Sequence, residues 1–304
     1  MNSIPHIGEL AALATACCWT TTALAFESAS VRVGSMSVNF IRLFLALLFL
    51  AAFGLCARGL PLPTDAGAGT WAWMSASGLV GFTFGDLCLF RALVLIGARL
   101  TMLLTALVPP LTALIGWAAL GERLSWTGLA GMALTVGGVA YVVLERKPKA
   151  AGGPAGTDDA KSRRTGVLLA LGAALGQATG LILSKHGMAG YDPFAATEIR
   201  VIAGLAGFTA IFFAVRWWRR VAEALSNRPA MARTALGAVF GPFLGVSMSL
   251  VAVAHTAAGV AATIMAIVPV LIIAPSVWIK KEKVSARAIL GAVVAVAGVG
   301  LMFL

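Results

Sequence analysis

Residues 107–142 read LVPPLTALIGWAALGERLSWTGLAGMALTVGGVAYV, and residues 267–304 read IVPVLIIAPSVWIKKEKVSARAILGAVVAVAGVGLMFL. Laid side by side at an offset of 160, they coincide at positions that shared composition does not align by itself. Val108-Pro109 falls on Val268-Pro269, Glu122 on Glu282, Ser125 on Ser285, Gly131 on Gly291 and Gly138 on Gly298. The register runs back without a gap to Gly81 and Gly85, which fall on Gly241 and Gly245. Further upstream the offset becomes 158, where Gly8 meets Gly166, Leu10 meets Leu168, and Ile41-Arg42 meets Ile199-Arg200. A two-residue insertion between about residues 56 and 80 reconciles the offsets. So many matched Gly, Pro and Glu positions mark an internal duplication.

Each copy reads as a membrane unit. Of the 304 residues, 60% are hydrophobic and 12% charged, against roughly half and a quarter in soluble chains. Apolar runs recur at about 5–27, 36–57, 70–94, 97–120, 125–144, 165–187, 193–216, 231–256, 258–279 and 284–304. Each suits a hydrocarbon core of ~30 Å. They predict an all-α, polytopic membrane protein of ten transmembrane helices. No loop between them is long enough to hold a soluble domain, so binding falls to the helices. The opening MNSIPHIGEL has no Lys or Arg and no small-residue cleavage site, so the first apolar run is read as a retained span. The net charge of +11 sits in the loops and forms no stripe on a folded domain. That argues for a lipid bilayer and against a nucleic-acid partner. Cys17, Cys18, Cys56 and Cys88 lie inside spans with no CxxC among them. They are read as small apolar residues, and no metal site or cofactor is expected.

Five spans in each copy force the second to enter the membrane from the opposite side. The copies, 1–144 and 165–304, are then inverted five-helix repeats related by a pseudo-two-fold axis in the membrane plane. Such pairs recur in secondary transporters, with the substrate near the midplane at the repeat interface. Between them lies ERKPKAAGGPAGTDDAKSRR (145–164), a polar, Gly/Pro/Ala-rich stretch expected to be a flexible cytoplasmic linker. The loops on the linker's side carry 17 Lys and Arg residues; the opposite side carries Arg58, Arg123 and Lys185. The positive-inside rule therefore places both termini outside. Nearly all of this bias comes from the second copy, since the first is balanced at two against two.

The repeated element has a recognisable order: an apolar span kinked at a central Pro, a short Gly-Glu-basic turn, then a Gly-studded span. It resembles the EamA family of the drug/metabolite transporter superfamily, as do Ile41-Arg42 and Ile199-Arg200 of the second span in each half. The resemblance covers essentially the whole chain. It implies a ten-helix inner-membrane exporter of amino acids or other metabolites, and it says little about which one. The second copy departs from the family pattern at Lys281, where Gly commonly precedes the Glu. The superfamily's small drug exporters resemble one another in an acid deep in the first helix. Here that span has only Glu9 near its end and Cys17-Cys18-Trp19 at mid-depth, which weakens a drug/proton antiport reading.

Several residues stand out as site candidates. Pro109 and Pro269 occupy equivalent mid-span positions, where each removes a backbone hydrogen bond and kinks its helix. Interrupted spans at corresponding places are the strongest sequence pointer to a transport site. Intramembrane charges cost of order 3 kcal/mol each on insertion scales and usually face a paired or aqueous interior. Here they are Arg42, Asp86, Arg91, Glu198 and Arg200. Asp86 and Arg91 are five residues apart, a poor helical spacing for a pair. Arg42 or Arg200 suits a substrate carboxylate; Asp86 or Glu198 suits an amine or a proton. Trp19 and Gln177 correspond in the two copies and are candidates to line one cavity, or to pack and bridge helices. His255 is read as interfacial. The ladders Ser77/Gly81/Gly85, Gly172/Gly176/Gly180 and Gly237/Gly241/Gly245 permit close helix contact and place spans 3, 6 and 8 in the centre. Glu122 and Glu282 are read as favourable with the dipoles of the helices that follow, with Ser125 and Ser285 as N-caps.

The resulting expectation is a secondary transporter, an exporter of small polar metabolites such as amino acids, working by alternating access. Protons are a candidate coupling ion, and one chain holding both repeats suffices as a monomer. No GxxxxGK[ST] loop is present, so a gradient supplies the energy. No His or carboxylate pair has hydrolase or metal spacing, which argues against an enzyme. The alternative is a lipid or lipid-linked-sugar translocator, which requires a lateral opening between helices. A signalling or scaffold role wants a soluble domain or a long tail.

Overall fold

The computed structural model describes residues 6–120, 125–144, 157–188, 190–256, 261 and 264–302, and every regular element among them is helical. The first repeat comprises α1 (Ile7–Val33), α2 (Ser35–Arg58), α3 (Ala68–Gly78), a π-helical stretch (Leu79–Gly85), α4 (Asp86–Thr105), α5 (Val108–Leu120) and α6 (Trp126–Val143). The second comprises α7 (Thr157–Met188), α8 (Pro193–Val215), α9 (Trp218–Leu225), α10 (Arg228–Ala238), a second π stretch (Val239–Phe243), α11 (Leu244–His255), α12 (Val268–Leu271), α13 (Ile273–Trp278) and α14 (Ala286–Met302).

These elements assemble into ten spans. Seven helical runs are long and apolar enough to cross a membrane, and the longest, Ala68–Thr105, has 38 residues. At 1.5 Å per residue it would extend ~57 Å, about twice a hydrocarbon core. Gly97 resolves the excess: its φ of 78° and ψ of 164° break the helix, so residues 68–96 form the third span and 98–120 the fourth. Glu27 on α1 supports the turn by accepting from the freed Ala98 N–H at 2.9 Å. The shorter apolar helices Val268–Trp278 and Ala286–Met302 belong to spans nine and ten.

The pseudo-two-fold axis is visible in one helix crossing. Where α6 meets α14, a Cβ on Gly131 would lie 2.5 Å from the Gly298 carbonyl oxygen, and one on Gly138 2.8 Å from that of Gly291. Under the offset of 160 each of these pairs maps onto the other. Between them Thr135 Oγ1 reaches the carbonyl of Ala295 at 3.3 Å; these two residues are each other's equivalents and so lie on the axis. Only glycine lets backbones meet this closely, and without a hydrophobic drive between helices in lipid, such contact supplies the association.

Both repeats interrupt their helices at the same places. The π stretches begin at Leu79 and Val239, which are equivalent residues. Spans four and nine are both broken just before Val-Pro. Ala106 and Leu107 donate three residues back, to Leu103 and Leu104, and Ile267 donates likewise to Ile264. Helix resumes at Val108 and Val268, with Pro269 in the first turn of its helix, where a missing N–H costs nothing. Both Pro109 and Pro269 are buried.

The π stretches also join the repeats. The first lies against α7: a Cβ on Gly176 would come 2.8 Å from Gly85 Cα, one on Gly180 3.3 Å from Gly81 Cα, and Ser77 Oγ donates to Gly180 O at 2.7 Å. The second lies against α1, where Gly241 faces Thr22 and Gly245 faces Trp19. The three small-residue ladders thus bring spans 3 and 6, and spans 1 and 8, together.

Two expectations need correction. Residues 157–164, assigned to the linker, already belong to α7. Ala160, Lys161, Arg163 and Arg164 favour helix, and Arg163 Nη2 ties this end to Val143 O at 2.6 Å. The linker's remainder, 145–156, lies outside the described residues, as does Glu122. Second, the loop after span seven folds as α9, a short amphipathic helix with Val221 and Ala224 buried and Arg219, Arg220 and Glu223 exposed. At the turn before α14, Glu282 forms ion pairs with Arg99 (3.4 Å) and Lys280 (3.5 Å). The N-caps are Ser125, accepting from Gly128 N at 3.0 Å, and Ser285, accepting from Ala288 N at 3.1 Å. Lys281 has φ 55°, a left-handed conformation natural to glycine.

Candidate functional site

Arg42 lies two turns into α2, and Asp86 is the first residue after the π stretch of span three. The helix contacts bring them together: Arg42 Nη2 donates to Asp86 Oδ2, with both side chains buried. Arg42 Nε donates to Asn39 Oδ1 at 2.7 Å, and its guanidinium carbon lies 4.7 Å from the Phe90 ring centre and 5.4 Å from that of Phe26. Ion pair, amide and ring faces together offset the cost of the buried charge. Arg200, the repeat equivalent of Arg42, enters from α8. It is 8% exposed and stands 4.9 Å from the Phe82 ring, which Arg42 also approaches at 5.8 Å. Arg200 Nε has no hydrogen-bond partner. Glycine makes this approach feasible: a Cβ on Gly81 would come 3.3 Å from Arg200 Nη2. Two arginines therefore flank one carboxylate at the junction of the repeats.

The other expected residues are placed differently. Arg91 is exposed and takes no part in the Asp86 pair; Asp86 finds its cation on another helix, because a five-residue separation puts Arg91 on a different part of α4. Glu198 is 1% exposed, and its Oε1 has no partner. Its carboxyl packs toward Gly54 of α2, 3.9 Å from where a Cβ there would lie. Trp19 packs its indole edge on Gly245 and into the surrounding core. Gln177 is half-buried on α7, and among the described residues no hydrogen bond joins it to Trp19. His255 is exposed, its Nδ1 3.0 Å from Val251 O.

Polar networks join the halves at both ends of the bundle. At the end bearing the basic loops, Lys280 pairs with Glu27 on α1 and with Glu282, which also meets Arg99. At the opposite end Arg58 pairs with Asp65, Tyr191 OH donates to Asp65 Oδ1 at 2.7 Å, and Arg58 Nη2 donates to Tyr191 OH at 3.3 Å. The Tyr191 hydrogen bond, then Arg58, holds the Asp65 carboxyl below the usual carboxylate range; partial burial pushes the Tyr191 hydroxyl up. Glu9 and Thr256 (3.1 Å) add a further link there. The halves are thus tied together by polar contacts at both ends of the bundle. Beside Pro110 a separate groove of about 450 Å³ is lined by Leu107, Leu111, Leu114, Met132, Val136, Leu171 and Leu175. It carries no charged side chain. Among the described residues no three His, Cys, Asp or Glu side chains gather as a metal site.

Sequence reasoning missed three participants: Phe82, Asn39 and the Arg58–Asp65–Tyr191 link. Each is defined by a contact between distant segments. Asn39 alone left a local trace, three residues before Arg42.

Comparison with known proteins agrees with this architecture. The family model described as the EamA-like transporter family matches residues 6–144 and 164–304, once per repeat. A solved crystal structure shares the fold with a TM-score of 0.61 at 19% identity, over 97% of this chain and 95% of the other. At that identity the likeness speaks to the fold alone. No curated protein gives a match.

Proposed function

Because the chain belongs to the EamA-like transporter family, we propose that it exports a small polar metabolite by alternating access, with an amino acid as the leading candidate. The observation that carries this reading is Arg200, a buried cation with an unsatisfied Nε at the repeat junction. An unmet donor in such a place costs free energy unless a ligand supplies the acceptor. A substrate carboxylate on Arg200, beside the Arg42–Asp86 pair and the Phe82 ring, meets that need. The Lys280–Glu27 and Arg58–Asp65 links act as the two barriers, one parting as the other holds. A proton gradient is the proposed driving force, and a single chain is the proposed working unit.

The protein resides, on this reading, in the plasma (inner) membrane with both termini outside, supported by the charge asymmetry of its loops. A reporter fused after Leu304 that is active only outside supports this; one active only in the cytoplasm overturns it. The functional test is uptake of a panel of radiolabelled amino acids into proteoliposomes, with and without an imposed proton gradient. Saturable uptake that weakens in Arg200→Gln supports the reading, and gradient dependence separates antiport from facilitation. The apolar groove beside Pro110 favours a second reading, translocation of a lipid or lipid-linked sugar. Flip of a fluorescent lipid, with no amino acid moving, selects it.

A further inference from the structure

We infer that the site reads the acid group of its substrate and not the amine, so that small carboxylates lacking an amine are equally its ligands. This rests on the transporter reading above and narrows the substrate class.

The argument turns on which charged groups are free to meet a ligand at the repeat junction. Arg200 is buried, and its Nε has no acceptor. Asp86, the acid beside it, is already committed: its Oδ2 accepts from Arg42 Nη2, and Arg42 is itself held by Asn39 and three aromatic rings. An ammonium group would have to displace an arginine from a buried carboxylate, stranding that arginine's charge. The other buried acid, Glu198, is two residues from Arg200 on the same helix. At 100° per residue the two side chains point to nearly opposite faces. The contacts agree: Arg200 meets Gly81 and Phe82 of span three, while Glu198 lies against Gly54 of α2. A small ligand held by Arg200 therefore has α8 between itself and the Glu198 carboxylate.

The duplication strengthens the case. In the first repeat, the arginine's charge is answered from within the protein, by Asp86. The residue equivalent to Asp86 in the second repeat is Val246, so Arg200 has no acid hydrogen-bonded to it and only neighbours the carboxylate that Arg42 already holds. One monovalent anion makes up the difference. The guanidinium recognises a carboxylate through two parallel hydrogen bonds, and the side-on arrangement uses Nε, which here has no partner.

Matched trios of ligands separate the two groups: L-alanine, pyruvate and ethylamine, then L-leucine, 4-methyl-2-oxopentanoate and isopentylamine. The measurement is the ligand-induced rise in unfolding temperature of the purified, detergent-solubilised protein. The expected result is stabilisation by the amino acid and its 2-oxo acid alike, with none by the amine, in at least one trio. Arg200→Gln should abolish the shift and Arg200→Lys restore part of it, while Glu198→Gln leaves it in place. Stabilisation by an amine, a 2-oxo acid much weaker than its amino acid, or no response to any carboxylate overturns the inference. Carboxylate binding without movement into proteoliposomes leaves the inference standing and sinks the transport reading instead.

Discussion

Spans three and eight are wound alike, yet they pass the chain on to different chemistry. Both contain a π stretch starting at equivalent residues, and both set glycines at 81 and 85, or 241 and 245, against a first-span helix of the other repeat. After the first comes Asp86, which captures Arg42; the equivalent position beyond the second is Val246, and Arg200 keeps an unpaired Nε. The packing partners diverge too, Gly176 and Gly180 on one side, Trp19 and Thr22 on the other. Duplication preserved the places where helices are interrupted and pressed together. What differs is charge and side-chain bulk, and that is where a function separates from its scaffold.

The comparison is broken most forcefully at the arginines. Arg42→Met leaves Asp86 buried without its cation and is expected to cost about 3–5 kcal/mol; Arg200→Met removes a charge that was never fully satisfied and should cost far less. Equal losses in denaturant unfolding of the two reconstituted variants would mean that the repeats hold their arginines alike. A smaller effect tests the shared scaffold. Gly131→Ala puts a methyl against the Gly298 carbonyl and should destabilise by about 1–3 kcal/mol as overpacking does. Gly137→Ala, with nothing within 4 Å of the new Cβ, should be neutral or mildly stabilising. Thermal unfolding of the pair shows whether the crossing tolerates any side chain. The smallest expected effect is at the Arg58–Asp65–Tyr191 link, at the end opposite the basic loops. The Asp65 carboxyl is held below its ordinary range by Tyr191 and Arg58. It therefore contributes stability above the unfolded carboxylate's pKa and loses it as pH falls through the folded value. Comparing unfolding temperatures of wild type and Asp65→Asn from neutral to acid pH should show a small gap that closes toward acid; a gap that widens removes the ion pair from consideration.

The repeats, the ten spans and the interrupted spans at Pro109 and Pro269 were legible because each leaves a local mark: a Gly, a Pro, or a run of a given length. The site was legible only as a set of residue types. Arg42 and Asp86 are 44 residues apart, and nothing short-range says that they pair, whereas Arg91 stood out only as one more charge within a span. Glu198 and Arg200 are two residues apart, yet the helix sends them to different neighbours. α9 was overlooked because eight amphipathic residues among arginines resemble a charged loop. Gly131, Gly138, Gly291 and Gly298 served as markers of the repeat, but their meeting across α6 and α14 is a tertiary fact.

That meeting has a further consequence. Because Gly131–Gly298 and Gly138–Gly291 exchange places under the repeat symmetry, the crossing is self-dual: interchanging the conformations of the two halves returns the same set of contacts. Under the alternating access proposed above, it would contribute equally to the outward-facing and inward-facing forms and could not tilt the balance between them. Any preference for one form must come from unduplicated features such as Asp86, Glu198, Trp19 and the arginines around α9, so substitutions at the crossing should weaken both forms together and leave their ratio where it was.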